Sequence, residues 1–210
     1  MDMIKKLFHP KEKAEPEKGT WQQNFFRDMK DVLYILMGFL VVYSLFFRMV
    51  VVDGTSMNET LLDGDRLLLQ SRTTYRSPKQ GDIVVFSRDD FREGECVVKR
   101  VIATAGQRVD IDFANRIVYV DGQPLDEPYV HYALNDSRPM MQEGVQFPLI
   151  VEEGCVFVMG DNRNNSQDSR DPAIGLVDCR EILGRVLLLI LPGTNFDQYP
   201  LDFGRIGFVR

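Results

Sequence analysis

The feature that most constrains this chain is the run VLYILMGFLVVYSLFF, Val32 to Phe47, which carries no charge and is bounded by Lys30 and Asp31 before it and Arg48 after it. As a helix it spans about 24 Å at about 1.5 Å per residue, just short of a hydrocarbon core of about 30 Å. Arg48 can snorkel to the interface and Met49 to Val52 prolong the apolar character, so the sequence predicts one membrane span over residues 32–48. A buried core helix is the competing reading. A cleaved secretory signal is another, but the positive region before the run is too long and no small-x-small cleavage pattern follows it. Lys5, Lys6, Lys11, Lys13, Lys18, Arg27 and Lys30 precede the run, whereas Arg48 and Arg66 are the basic residues close to its far end. The positive-inside rule therefore puts the N-terminus in the cytoplasm and everything after Arg48 outside it. Residues 1–31, with KEKAEPEKG at their centre, read as a flexible cytoplasmic tail.

Residues 49–210 read as one extracytoplasmic domain. Short runs rich in β-branched residues, RLLLQ, GDIVVF, ECVVKRVIAT, RIVYV, VFVM and RVLLLIL, are separated by Gly, Asp, Asn and Pro. Runs of that length without a long amphipathic period predict a mainly β globule, and NRIVYVDGQPL predicts a hairpin turning at Asp121-Gly122. With 44% hydrophobic residues in 210, the chain can bury one good core with a smaller lobe attached. A formal net charge of −6 and the lack of clustered Lys and Arg argue against nucleic acid as a partner. Cys96, Cys155 and Cys179 form no C-x-x-C and have only His9 and His131 as potential co-ligands, so they read as small buried hydrophobes and no metal or other cofactor is expected. The loop GDNRNNSQDSRD, Gly160 to Asp171, fails as a calcium loop, since Arg163, Ser166 and Pro172 occupy the positions that need an oxygen ligand, glycine and glutamate.

The serine in DGTSMNETL, Ser56, is chemically meaningful only if another side chain can take its proton. Histidine is the commonest base, but His9 falls on the cytoplasmic side and His131 stands alone in a polar stretch. Lysine is then the alternative, and it serves as a base only where burial depresses its pKa well below the usual value of about 10.4. In CVVKRVI, strand alternation puts Val97, Lys99 and Val101 on one face and Cys96, Val98, Arg100 and Ile102 on the other, so at least one of the two cations is pressed against apolar surface. Arginine stays charged and needs a carboxylate, whereas lysine can lose its proton, which selects Lys99 for chemistry. The bland alternative is an edge lysine with its amine in water. The density of acids, arginines and serines in Gly160 to Asp171 predicts a hydrogen-bonded support for a buried polar group.

An apolar run followed in order by GTSMNETL, GDIVVF, VVKRVI, VYVDGQPLDEPYV, GDNRNNSQDSR and ILGRV resembles the bacterial type I signal peptidases over nearly everything after residue 30. The resemblance implies a Ser/Lys dyad with Ser56 as nucleophile and Lys99 as general base. It implies support from Asp161, Ser166, Asp168 and Arg170, and a shallow pocket for a small substrate residue lined by Met57, Leu61 and Val98. It further implies an antiparallel, LexA-like β fold with a smaller inserted lobe over residues 112–153, signal peptides of exported preproteins as substrates, and the lipid bilayer as the remaining partner. Thr55, Asn58-Glu59 and the turn Ala103 to Gln107 depart from the family pattern, and Gly54 stands where some relatives place an oxyanion-hole hydroxyl. Backbone N–H groups are then expected to carry that role. A catalytically silent scaffold for surface-fibre assembly would be expected to lack Ser56 or Lys99, and a self-cleaving repressor would carry a DNA-binding domain where this chain has its apolar run.

Overall fold

The structure, a computed structural model, describes residues 20–88, 91, 94–130, 140, 144–193 and 201–209. They form one long helix, α1 (Trp21–Phe46), and a β unit that begins at Tyr43. At about 1.5 Å per residue α1 spans roughly 39 Å, enough to cross a bilayer. Its most apolar window has a mean hydropathy of 1.7, and none of it is buried within the protein. The helix begins earlier than the apolar run, taking in Trp21 to Asp31, and stops before Arg48. Phe47 and Arg48 instead open a strand, β1 (Phe47–Val51), because the β-branched Val50 and Val51 pair side by side with β2 (Arg66–Ser71) in the register Arg48 to Leu69 and Val50 to Leu67.

The remaining strands are β3 (Ile83–Ser87), β4 (Cys96–Thr104), β5 (Arg108–Asp112), β6 (Ile117–Val120), β7 (Gln123–Pro124), β8 (Leu149–Ile150), β9 (Cys155–Met159), β10 (Val177–Asp178), β11 (Ile182–Leu191) and β12 (Gly207–Phe208). The larger sheet has the order β1-β2-β11-β3-β4-β9-β10 with β12 on β11, the smaller the order β7-β6-β5-β8, and every pairing is antiparallel. The mainly β, antiparallel architecture expected from the sequence is the one observed. The Asp121-Gly122 turn is also as expected: Val120 pairs with Gln123, and both turn residues have positive φ, 53° and 78°. The second sheet starts at Arg108, four residues before the lobe boundary read from the sequence, and residues 131–139 and 141–143 of that lobe lie outside the described residues.

Strand β4 is buried from Val97 to Ala103 because it borders three apolar clusters. Val97 and Val101 pack with Val84, Phe86 and Val158. Val98 packs with Met57, Leu61, Leu69 and Val85. Ile102 and Ala103 join Val109, Val118 and Phe157 of the second sheet. Strict alternation fails at the end of the strand, since a bulge between Val101 and Ala103 against β9 lets two consecutive residues face the same cluster. Both cations of the strand are buried, Lys99 at 3% exposure and Arg100 at 2%. Of the cysteines, all free thiols, Cys155 and Cys179 are partly buried, but Cys96, the first residue of β4, is exposed and so is not the buried hydrophobe expected from the sequence.

Candidate active site

Ser56 sits on the excursion between β1 and β2. Its ends are closed by Val52 N–H donating to Asp65 O at 2.8 Å and Gly64 N–H donating to Val52 O at 2.9 Å. Gly54, at φ 97°, makes the turn ahead of the serine, and its N–H is held by Asp63 Oδ1 at 2.8 Å. Asp65 is fully buried and anchors the base of the loop by accepting from Leu62 N–H at 2.8 Å, Gly193 N–H at 2.7 Å and Arg205 Nη2 at 2.7 Å. One helical turn, with Leu61 N–H donating to Met57 O at 2.9 Å, drives Met57 and Leu61 into the core beside Val98. Ser56 remains half-buried, facing a cleft of about 440 Å³ whose walls include Met57, Val98, Lys99 and Ser166. Leu61 packs in the same apolar cluster, fully buried, and does not line that cleft.

Lys99 reaches the serine from β4. Its Nζ donates to Ser56 Oγ at 2.7 Å and to Val98 O at 3.0 Å, both neutral acceptors. The residues are 43 apart in sequence, and the central position of β4 between β3 and β9 fixes the lysine's height in the cleft. His9 and His131 lie outside the described residues.

The polar loop after β9 holds this arrangement from below. Asp168 is fully buried and accepts from Ser166 Oγ at 2.7 Å, Gly160 N–H at 3.0 Å, and Arg170 Nε and Nη2, each at 2.7 Å. Burial alone disfavours its ionised form, but the Arg170 guanidinium and these hydrogen bonds outweigh that and hold the carboxyl below the ordinary carboxylate range. Asp161 pairs with Arg100, the residue after Lys99, and accepts from Thr60 Oγ1 at 2.6 Å. It is therefore a cross-brace outside the cleft, binding the serine loop to the lysine strand. The ring of Tyr129 covers the Arg100 guanidinium at 3.8 Å, and Glu127 pairs with Arg163, so the segment after β7 braces both the lysine strand and the loop.

Several residues that secure Ser56 were not singled out by the sequence. Asn162 donates its backbone N–H to Ser56 O at 3.0 Å and its Nδ2 to Thr55 O at 3.1 Å, while Asn165 Nδ2 donates to Thr55 Oγ1 at 3.0 Å. A Cβ on Gly160 would collide with Ser56 O and Ser166 Oγ, so this glycine is required by close backbone approach. The only signal of these contacts in the sequence is the density of polar residues in GDNRNN, which names no partner.

The sequence profile of the family described as signal peptidase, peptidase S26, matches residues 26–191. The chain belongs to that family. It is a signal-peptide-cleaving serine peptidase, and its unburied N-terminal apolar helix fits a membrane-anchored member. Among curated signal peptidases it is 36% identical to the probable signal peptidase I-1 of Synechocystis, over 80% of each chain. It is 32% identical to a signal peptidase I of Bacillus licheniformis, over 84% of this chain and 94% of that one. With a signal peptidase I of Bacillus caldolyticus the identity is 37%, over 75% and 85%. A crystal structure of a signal peptidase I from Enterococcus faecalis aligns at a TM-score of 0.42 and 30% identity, covering 53% of this chain and 98% of that one.

Proposed function

We propose that this signal peptidase cleaves preproteins with Ser56 as nucleophile and Lys99 as general base. The observation that carries the proposal is the 2.7 Å separation of Lys99 Nζ and Ser56 Oγ at the floor of a cleft. Burial disfavours an ammonium, so the amine serves as a base in its neutral form. In that form the polarity of the hydrogen bond reverses, and the serine hydroxyl donates to nitrogen. Transfer of that proton to Lys99 accompanies attack of Oγ on the scissile carbonyl carbon. The resulting ammonium returns the proton to the leaving amine, and an ester to Ser56 remains. The mature protein departs as that amine, and water then attacks the ester with the neutral lysine again as base, releasing the signal peptide as a carboxylate and restoring the hydroxyl.

The surrounding groups take supporting parts. Ser166, whose proton is committed to Asp168, presents its oxygen to the cleft that Lys99 lines and orients the amine. Asp168 and Arg170 hold Ser166, and Asp161 holds Arg100. The backbone N–H of Ser56 stabilises the oxyanion, with Gly54 leaving it no hydroxyl to share the role. The substrate lies extended, and the small residues one and three positions before the cut face shallow apolar walls that include Met57 and Val98; Leu61 shapes these walls from the core.

The anchor is single-pass, with the basic residues up to Lys30 cytoplasmic and the β unit outside, in the cell membrane. Eight residues separate Arg48 from Ser56, at most about 29 Å of extended chain, which keeps the serine near the membrane surface where the cleavage region of a signal peptide emerges. A non-catalytic scaffold would have no use for a lysine buried against a half-exposed serine hydroxyl.

The test is cleavage of one preprotein by the purified full chain and by Ser56→Ala and Lys99→Ala. Both variants should insert and fold but lose processing, and near wild-type cutting by either would refute the assignment.

A further inference from the structure

Arg48 of β1, Arg72 and Arg76 of the turn after β2, and Arg180 of the turn before β11 converge on a second depression, of about 550 Å³, whose walls also include Ser71 and Thr73. All four guanidiniums belong to exposed residues. Arg72 Nη1 donates to the carbonyl of Arg180, which fixes the two turns together. Asp178, at the edge of the cluster, accepts from Arg180 Nε at 3.0 and 2.9 Å. Those Arg180 hydrogen bonds hold the Asp178 pKa at about 2, with the Arg72 charge adding a smaller part. Neighbouring Glu181 is committed to Arg88 at 3.0 Å. Among the described residues, four arginines thus line this depression with no carboxylate in its walls, in a chain whose formal net charge is −6.

Such a concentration of one sign repels itself unless an anion sits within it, and forked guanidiniums match the oxygens of a phosphate better than any other common anion besides carboxylate. Position narrows the occupant. Arg48 comes two residues after Phe46, the last residue of α1, so at most about 7 Å of chain separates it from the end of the apolar helix. An anion encountered at that distance is one fixed at the membrane surface.

We propose that this arginine pocket binds the phosphate of an anionic phospholipid headgroup in the leaflet reached by the end of α1. Occupancy pins the β unit against that leaflet through a contact remote from the cleft. The inference goes beyond the peptidase chemistry and does not depend on the roles given to Ser56 and Lys99. Inorganic phosphate shares the recognition chemistry, so the experiment separates the two sources.

The full chain in uncharged detergent micelles is titrated with short-chain phosphatidylglycerol, short-chain phosphatidylcholine and inorganic phosphate, and bound species are counted by native mass spectrometry. Phosphatidylglycerol should bind one per chain, at least about tenfold tighter than phosphatidylcholine, with affinity falling as salt rises. Arg72→Gln/Arg76→Gln should lose at least about tenfold of that affinity while retaining wild-type cleavage of a preprotein in the same lipid-free micelles. Arg76→Gln alone, a change at an exposed side chain, should show a smaller loss in the same direction. Equal affinity for the two lipids, unchanged binding by both variants, or displacement of the lipid by phosphate at comparable concentration would overturn the proposal.

Discussion

Arg100 and Asp161 form a two-pronged ion pair buried from solvent, with Nε to Oδ1 at 2.8 Å and Nη2 to Oδ2 at 2.7 Å. Because Arg100 follows Lys99 and Asp161 also accepts from Thr60 in the serine loop, this pair locks together the two segments that carry the candidate dyad. Removing one partner leaves a buried charge uncompensated, a loss of about 3–5 kcal/mol. Asp161→Ala should therefore lower unfolding free energy in urea by about that amount. Arg100→Met/Asp161→Leu should recover a large part of it, and a double variant as unstable as the single one would show that the pair is not the source.

Lys99→Arg tests the need for a base that can be neutral. Arginine keeps a cation of similar length at the position but does not release its proton near neutral pH, so kcat should fall by about 10²–10⁴-fold with little change in folding. Retention of more than a tenth of wild-type kcat would contradict the assigned role.

The pH profile carries a sign. A lysine base works in its neutral form, so kcat/KM should rise with pH through the Lys99 titration, and the rise should disappear in Lys99→Ala. A rise centred near about 6.5 would point to His131 instead.

Stability towards acid should follow Asp168. Its folded pKa lies below the ordinary carboxylate value, since the Arg170 charge and the hydrogen bonds to it outweigh the burial that acts against ionisation. A depressed folded pKa contributes stability that is fully present above the unfolded value of about 3.9 and is lost as pH falls through the folded value. Urea midpoints should therefore drop below about pH 4 in the wild type. Asp168→Asn should already be destabilised at pH 7 and show a shallower acid decline.

Gly160→Ala and Asn162→Ala test the clamp on the serine loop. A Cβ at Gly160 collides with the Ser56 carbonyl, which must shift, so activity should be largely lost. Asn162→Ala removes the bond from Nδ2 to Thr55 O but leaves the backbone bond to Ser56 O, and should lower kcat by about tenfold with KM nearly unchanged. A change confined to KM would assign Asn162 to substrate contact.

Much of this was legible in the chain itself. An unbroken, charge-free apolar run announces a helix long enough for a bilayer, Asp121-Gly122 dictates its hairpin through the positive φ both residues adopt, and the lack of an accessible histidine directs attention to Lys99. These are local properties, decided by propensity, pattern and elimination. The end of α1 at Phe46 is not readable in the sequence, because Phe47 and the apolar residues Met49 to Val52 beyond Arg48 suit either conformation, and only pairing with β2 chooses strand. The bulge after Val101 was hidden because it exists only in register with β9.

The amino-acid order by itself thus set the apolar helix, the β-rich body and the short roster of residues able to do acyl transfer. What tertiary structure decided was their meeting: Ser56 beside Lys99, Asp161 between Arg100 and Thr60, and Asn162 on the backbone of Thr55, contacts between segments 43 to 107 residues apart. No local preference encodes such distances. They are fixed only when the sheet order and three apolar clusters settle which strands become neighbours, because burial rewards the whole packed arrangement and not any one segment.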